Sequence, residues 1–207
     1  MANDLTRFGI KEVADVRFYA VADDTSAQAA YEAVSGEEKV GTHVIEFDTL
    51  KVSNIESTAE SSEARGGKGN AALISWDYGR EITVTIEDAL MSMDCLALLF
   101  GDEDEDKTIT VNANKFPGTY TVVGKTFARN ETDGKDHLFT FVIPKAKIQS
   151  ETTLTMEAEG DPTVIGMSLK VLRCKNGDMM QLIREDKEYT GKNESGDAIN
   201  VWGETLA

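Results

Sequence analysis

Period-two alternation of apolar and polar residues runs through most of this chain. In EITVTIE, residues 81–87, Ile82, Val84 and Ile86 fall on one side of an extended strand, while Glu81, Thr83, Thr85 and Glu87 fall on the other. That is the pattern of a sheet with one buried face. Similar runs recur at 16–21, 43–47, 108–112, 119–127, 138–143, 152–158, 164–173 and 179–183. The spacing therefore predicts a mainly β chain. Between runs, NETDGK at 130–135 and KNGD at 175–178 carry Asp-Gly and Asn-Gly pairs, which accept positive φ cheaply and suit tight hairpins between antiparallel neighbours.

Two segments break the alternation with helical spacing. Thr25-Ser26-Ala27-Gln28 opens an alanine-rich stretch with the spacing of a capping box, and Gly36 is placed to end it, so a short peripheral helix is expected at about 25–35. A second helix is expected at about 87–100. There Leu90, Met93, Ala97 and Phe100 recur at helical intervals, Glu87 and Asp88 favour the positive end of the dipole, and Gly101 follows as a stop. Leu96, Leu98 and Leu99 widen its apolar side, and core packing is expected for Met91, Met93 and Cys95 rather than a sulfur-rich cofactor box.

Composition limits what such a sheet can do. The 207 residues are 41% hydrophobic, enough for a sizeable core, and carry 21 Lys and Arg against 37 Asp and Glu, a net charge of −16. A chain this acidic cannot hold DNA by counterion release, though it can present a surface that repels it. The first residues show no basic region followed by an apolar run, and the greasiest segment, 89–100, is interrupted by Asp94, so a soluble protein made without membrane insertion is expected. Cys95 and Cys174 lie among apolar neighbours and read as buried thiols.

The stretch Gly66-Gly67-Lys68-Gly69-Asn70 poses the main chemical question, because clustered glycines beside a lysine suggest a phosphate cradle. A phosphate-binding loop needs G-x-x-x-x-G-K-[ST] between a strand and a helix. Lys68 is followed by Gly69, and Gly124-Lys125-Thr126 has Thr119 where the first glycine belongs. The acidic run 102–106 invites calcium, but an EF-hand loop would need Gly and Glu where Lys107 and Ala113 stand. With His43 and His137 as the only histidines, zinc chemistry has too few ligands, and no nucleophile setting is present. No catalytic residue, metal site or cofactor is expected.

In its longer frame, 50–101, the glycine stretch resembles the major tail or tail tube proteins of tailed bacteriophages. The residues that carry the resemblance are the Glu-, Ala- and Ser-rich lead-in, the Gly66, Gly67, Gly69 and Asn70 turn, the strand 73–78, and the acidic step Thr85-Ile86-Glu87-Asp88-Ala89-Leu90. It covers about a quarter of the chain. It implies an antiparallel β-sandwich or half-barrel of the phage tail tube type with a flanking helix, forming hexameric rings that stack into a hollow tube in the virion, with inner strands of neighbouring subunits joined into one barrel through which DNA passes without specific binding. Further copies of the chain, a tape measure protein and tail terminator or baseplate proteins are the implied partners, with a sheath protein as an option. On this reading residues 1–188 form one domain with a long loop at 53–70, and 189–207 form an arm.

The glycine loop then becomes assembly chemistry, or else a hairpin turn within one subunit. Expected interface residues are Glu56, Glu60, Glu63, Arg65, Gly66, Gly67, Lys68, Gly69 and Asn70, with Trp202 as an apolar anchor of the arm. Expected lumen-facing residues are Glu81, Thr83 and Thr85 on one strand and Thr153, Thr155, Glu157 and Glu159 on another. Two other classes stay open: a capsid decoration or other non-tubular virion protein, and a carbohydrate-binding β-sandwich, which would need an exposed aromatic platform.

Overall fold

The computed structural model describes residues 7–10, 15–21, 23–35, 44–90, 92–102, 108–132, 134–149, 165–193 and 195–206. Among these residues nine strands form, β1 (Phe8–Ile10), β2 (Asp15–Ala20), β3 (Ile45–Phe47), β4 (Leu50–Gly66), β5 (Ala71–Asp88), β6 (Thr119–Asn130), β7 (Asp136–Ile148), β8 (Ile165–Val171) and β9 (Gln181–Glu188). Two helices, α1 (Ala27–Val34) and α2 (Met93–Phe100), complete the described elements. All pairings among the described strands are antiparallel, in the order β3-β2-β6-β7-β8-β5-β4, with β1 added beside β6 and β9 beside β7.

β6 and β7 are the spine. β2 pairs with β6 at 120–125 and β1 pairs with it at 128–130, so β6 serves two sheet regions in succession. In the same way β8 takes β7 at 146–148 and β9 takes it at 137–142. The change of partner on β7 coincides with a bulge, because Tyr120 faces Ala146 while Val122 faces Ile143. Pro144, which has no N–H for the ladder, sits in that bulge, and Thr121 Oγ1 donates to its carbonyl at 2.9 Å. The extra residue flips the side-chain parity, so Phe141 and Ile143 before it and Ala146 and Ile148 after it all reach the same core.

That core decides between the two expected architectures. Val16 and Phe18 of β2, Ile45 and Phe47 of β3, Ile82, Val84 and Ile86 of β5, and Met167, Leu169 and Val171 of β8 meet in one cluster. Strands from opposite ends of the order can share a core only if the sheet curls on itself, which makes the fold a half-barrel. Cys95, Leu98 and Leu99 of α2 pack into it. The outer face of β2, β6 and β7 is covered in turn by a second cluster, where Tyr19, Val123, Leu138 and Val142 meet Val34 of α1 and Val201 and Trp202 of the C-terminal segment.

Several expectations are corrected. The second helix begins at Met93, not Glu87, because β5 keeps its ladder to Asp88: Leu50 and Ile165 pair with Asp88 from either side, and the Thr49 hydroxyl donates to its carboxylate. Ser92 is the N-cap, its Oγ accepting from Cys95 N–H at 3.1 Å, and Gly101 ends the helix in the left-handed conformation as expected. Leu90, assigned to the helix by its spacing, is exposed outside it. In α1 the N-cap is Ser26, whose Oγ accepts from Ala29 N–H at 3.0 Å, so Thr25 and Gln28 form no capping box. Residues 108–112 do not form a strand; Thr110 N–H donates to the Asp102 carboxylate at 3.0 Å, and Lys115 pairs with the same group. The long loop expected at 53–70 is strand β4 as far as Gly66.

The KNGD turn joins β8 to β9, but these strands pair with β7 rather than with each other. The turn is diverted because it docks on the start of α1: Lys175 and Asn176 N–H donate to the Asp24 and Thr25 carbonyls at 2.9 and 3.1 Å, and Asp178 accepts from Ala27 N–H at 3.1 Å. His43, Gly36, Met91, residues 103–107 and the expected strand 152–158 lie outside the described residues.

Candidate assembly surface

The polar run before the glycine stretch pairs with the alternating run after it, so β4 and β5 form one hairpin of 17 and 18 residues. Only its base is held by the body: β5 pairs with β8 from Thr83 to Asp88, and Ile82, Val84 and Ile86 are buried. From Ala71 to Glu81 every residue of β5 is exposed, and among the described residues its strand partner is β4 alone. At about 3.4 Å per residue this two-stranded ribbon extends about 35 Å from the body. A bare hairpin of that kind is marginal in water and gains from being covered.

The glycine stretch is the ribbon's tip. Gly66 pairs with Ala71, and Gly67, Gly69 and Asn70 take φ values of 79°, 94° and 50°, with Asn70 N–H donating to the Gly67 carbonyl at 3.2 Å. Strands flank it on both sides, so no helix N-terminus faces the glycines and the geometry of a phosphate cradle is missing. A Cβ on Gly67 or Gly69 would meet nothing within 4 Å, so these glycines answer to backbone conformation and not to contacts inside the subunit.

A bulge sets what the ribbon displays. Glu60 pairs with Tyr78 and Thr58 with Glu81, leaving Gly79 and Arg80 opposite Ala59, with Gly79 at φ 62°. Beyond this point Ile74, Trp76 and Tyr78 share one face with Ala64, Ser62 and Glu60, the face continuous with Glu81, Thr83 and Thr85 at the base. These three apolar side chains are 54%, 54% and 53% exposed. Covering what is left open would be worth about 1 to 2 kcal/mol for each. This strip was missed in the sequence, although LISWDY continues the alternation that marks β5; only its placement beyond the body shows that the apolar side has nothing to pack on.

Of the expected interface residues, Glu60, Glu63, Arg65, Gly66, Gly67, Lys68, Gly69 and Asn70 lie on this ribbon or its tip, whereas Glu56 lies at the hairpin's base opposite Thr83. Arg65 is engaged within its own chain, donating to Glu63 Oε2 from Nε at 2.9 Å and from Nη2 at 2.5 Å. Trp202 is a correction. It is 9% exposed, buried in its own subunit under Arg17 at 4.4 Å and Lys125 at 5.1 Å from its ring. The segment from Tyr189 onward is accordingly part of the domain and not a free arm. Tyr189 Oη donates to the Ile199 carbonyl at 2.7 Å, and Arg17, 1% exposed, donates to Glu46 at 2.9 Å and Glu204 at 2.7 Å. Burial pulls the Arg17 pKa down, and the bonds to Glu204 and Glu46 outweigh it and hold it above the ordinary value.

The polar face at the hairpin's base crosses five strands in register, Thr119, Lys147, Lys170, Thr83 and Glu56, with Lys170 Nζ bonded to Glu81 at 2.9 Å. Glu81, Thr83 and Thr85 occupy it, opposite the buried Ile82, Val84 and Ile86; Thr153, Thr155, Glu157 and Glu159 lie outside the described residues. The lysines on this face were not foreseen. A cleft of about 260 Å³ is lined by Lys125, Glu185, Glu188, Lys192 and Trp202 among others, and burial lowers the Lys125 pKa. Among the described residues no cluster of His, Cys, Asp and Glu is placed to hold a metal, and no helix is long and apolar enough to cross a membrane.

No curated protein matches the chain significantly. Among solved structures it is similar to a chain of the sheath-tube complex of an extracellular contractile injection system, PVC, in its extended state, at 10% identity, 86% coverage of this chain and 93% of that one, with a TM-score of 0.48. A chain of the anti-feeding prophage baseplate is similar at 12% identity, 84% and 95% coverage and a TM-score of 0.47. The model of one protein family matches residues 28–103 and 101–182, well over half the length. The chain belongs to the YomU/Tube protein family.

Proposed function

We propose that this chain is the repeating subunit of a phage-type tail tube, forming hexameric rings that stack into a hollow conduit for DNA. The observation that carries the reading, beside family membership, is the projecting ribbon with its exposed Ile74, Trp76 and Tyr78, a surface that a lone subunit leaves unfinished. β4 adds a second unfinished feature. Among the described residues it is an edge strand, 17 residues long, whose outer N–H and C=O groups can pair with a neighbour's strand and extend the sheet from subunit to subunit.

On this reading the polar face bearing Glu56, Glu81, Thr83 and Thr85 lines the lumen, and the net charge of −16 keeps passing DNA from sticking. Tape measure, terminator and baseplate proteins would meet the tube's ends, and a sheath its outside. Negative-stain microscopy and native mass spectrometry of the purified chain test the proposal: six-subunit rings and tubes are expected, and a chain that stays monomeric at high concentration refutes it. A cysteine at Thr83 tests the lumen: in intact tubes it should react with a small maleimide and resist one carried on a bulky polymer, and equal reaction with both places that face outside.

A further inference from the structure

Resting on that reading, we propose that the ribbon's apolar strip docks in a trough formed by Phe8, Ile10, Phe139, Leu182 and Arg184 on a second copy of this chain. The register places these side chains together: Ile10 pairs with Ala128 of β6, Phe139 with Arg184 and Phe141 with Leu182 of β9, so they share one face of β1-β6-β7-β9. Phe8, Ile10 and Leu182 are 42%, 57% and 53% exposed, while the opposite face of β6 and β7 is covered by the second core cluster.

Side chains from both edges lean together over the middle of this face. β1 and β9 are three strand spacings apart, about 14 Å in a flat sheet, yet the Phe8 ring lies 5.9 Å from the Arg184 guanidinium carbon and 5.7 Å from the Phe139 ring. A narrow ribbon fits such a trough better than a broad surface does. Charge agrees as well. Arg7, 78% exposed, stands 4.0 Å from Glu131 and is loosely held, while Arg184, 25% exposed beside Phe8, has a 3.3 Å contact with the exposed Asp186. The strip brings Glu60 beside Tyr78 to meet them.

Donor strip and acceptor trough are different surfaces, so a docked copy still offers one of each. Repetition of such a head-to-tail contact closes a ring or extends a filament, whereas ribbon-to-ribbon contact would stop at a dimer. The test mixes Ile74→Cys with Leu182→Cys full-length chains, lets them assemble, and treats them with a short bismaleimide; wild type, whose cysteines are buried, is the control. A linked pair is expected in the mixture and in neither variant alone. Tubes that form without the link overturn the trough but leave the tube reading standing, and self-linking of Ile74→Cys overturns it too. Wild type that forms no assemblies overturns the tube reading and the docking with it. As a second measure, Leu182→Glu should melt like wild type yet need at least about tenfold more protein to assemble; assembly at the wild-type concentration also overturns the trough.

Discussion

Gly124 is where the spine of the fold tolerates no side chain, and Gly124→Ala follows that claim to a number. The residue sits mid-β6 directly across from Phe141 of β7. A Cβ built there would lie 2.2 Å from both Cε1 and Cζ of the Phe141 ring and 3.0 Å from Cδ1. Carbon atoms pack at about 3.5 to 4.0 Å, so the ring must retreat by about 1.5 Å. Phe141 is 4% exposed within the main core cluster, and its rigid ring cannot give at one end without moving as a whole. Overpacking of this kind costs about 1 to 3 kcal/mol, and the upper half of that range applies where the obstacle is a buried aromatic ring. Alanine recovers about 0.4 to 1 kcal/mol by restricting the unfolded chain. The expected net loss is about 2 kcal/mol. Phe141→Leu, which removes the atoms in the way, should by itself cost about 1 to 2 kcal/mol in lost contacts, and the double variant should be at least about 1 kcal/mol more stable than the sum of the two losses. Urea unfolding at a concentration where sedimentation shows only monomer measures all four proteins, with constant m-values as the check on two-state behaviour. Strict additivity, or a Gly124→Ala protein as stable as wild type, would refute the argument that ring and glycine occupy one space.

Trp202→Ala should destabilise the monomer by about 3 kcal/mol or more, because it empties a buried site under Arg17 and Lys125; a variant that melts like wild type but fails to assemble would return Trp202 to an interface. Burial pushes the Cys95 thiol up to about 12 and raises that of Cys174, so a thiol reagent at pH 8 should modify neither residue in the native protein and both in guanidinium, and rapid native reaction would contradict the packing of α2. The Lys175 bond, followed by that from Lys145, lowers the pKa of Asp24, and the Asn176 side chain, followed by Ala27 N–H, lowers that of Asp178. Folded values below the unfolded ones mean stability that is complete above about pH 4 and lost as pH falls through the depressed values. Asp178→Ala should therefore lower the melting temperature at pH 7 and flatten its decline in acid, and parallel wild-type and variant curves would show that the α1 junction does not depend on that charge.

Most strands were legible because one face is apolar, and a period of two survives whatever the strand pairs with; Ile82, Val84 and Ile86 lie in the core as their alternation requires, whereas β4, polar from Glu56 on, reads as a loop. Gly101 and the Gly67–Asn70 tip were legible for a similar reason, since a left-handed backbone is a local demand that a local residue must meet. Helix starts were not. Glu87 and Asp88 suit a helix by propensity, but ladder bonds from β4 and β8 hold them in β5, and no local pattern contains those partners.

The same division runs through the candidate site. The sequence by itself determined a glycine stretch ahead of an alternating strand, an acidic composition and the tube-type resemblance. Only the tertiary structure decided which apolar residues lack a partner. Trp76 stands exposed on a ribbon that outruns the body, while Trp202, beside Val201, is closed in by Arg17 and Lys125 from β2 and β6. Alternation says which side of a strand is apolar. Whether that side meets the subunit's own core or waits for a neighbour depends on how far the strand extends past its last partner, and strand pairing across distant parts of the chain sets that limit.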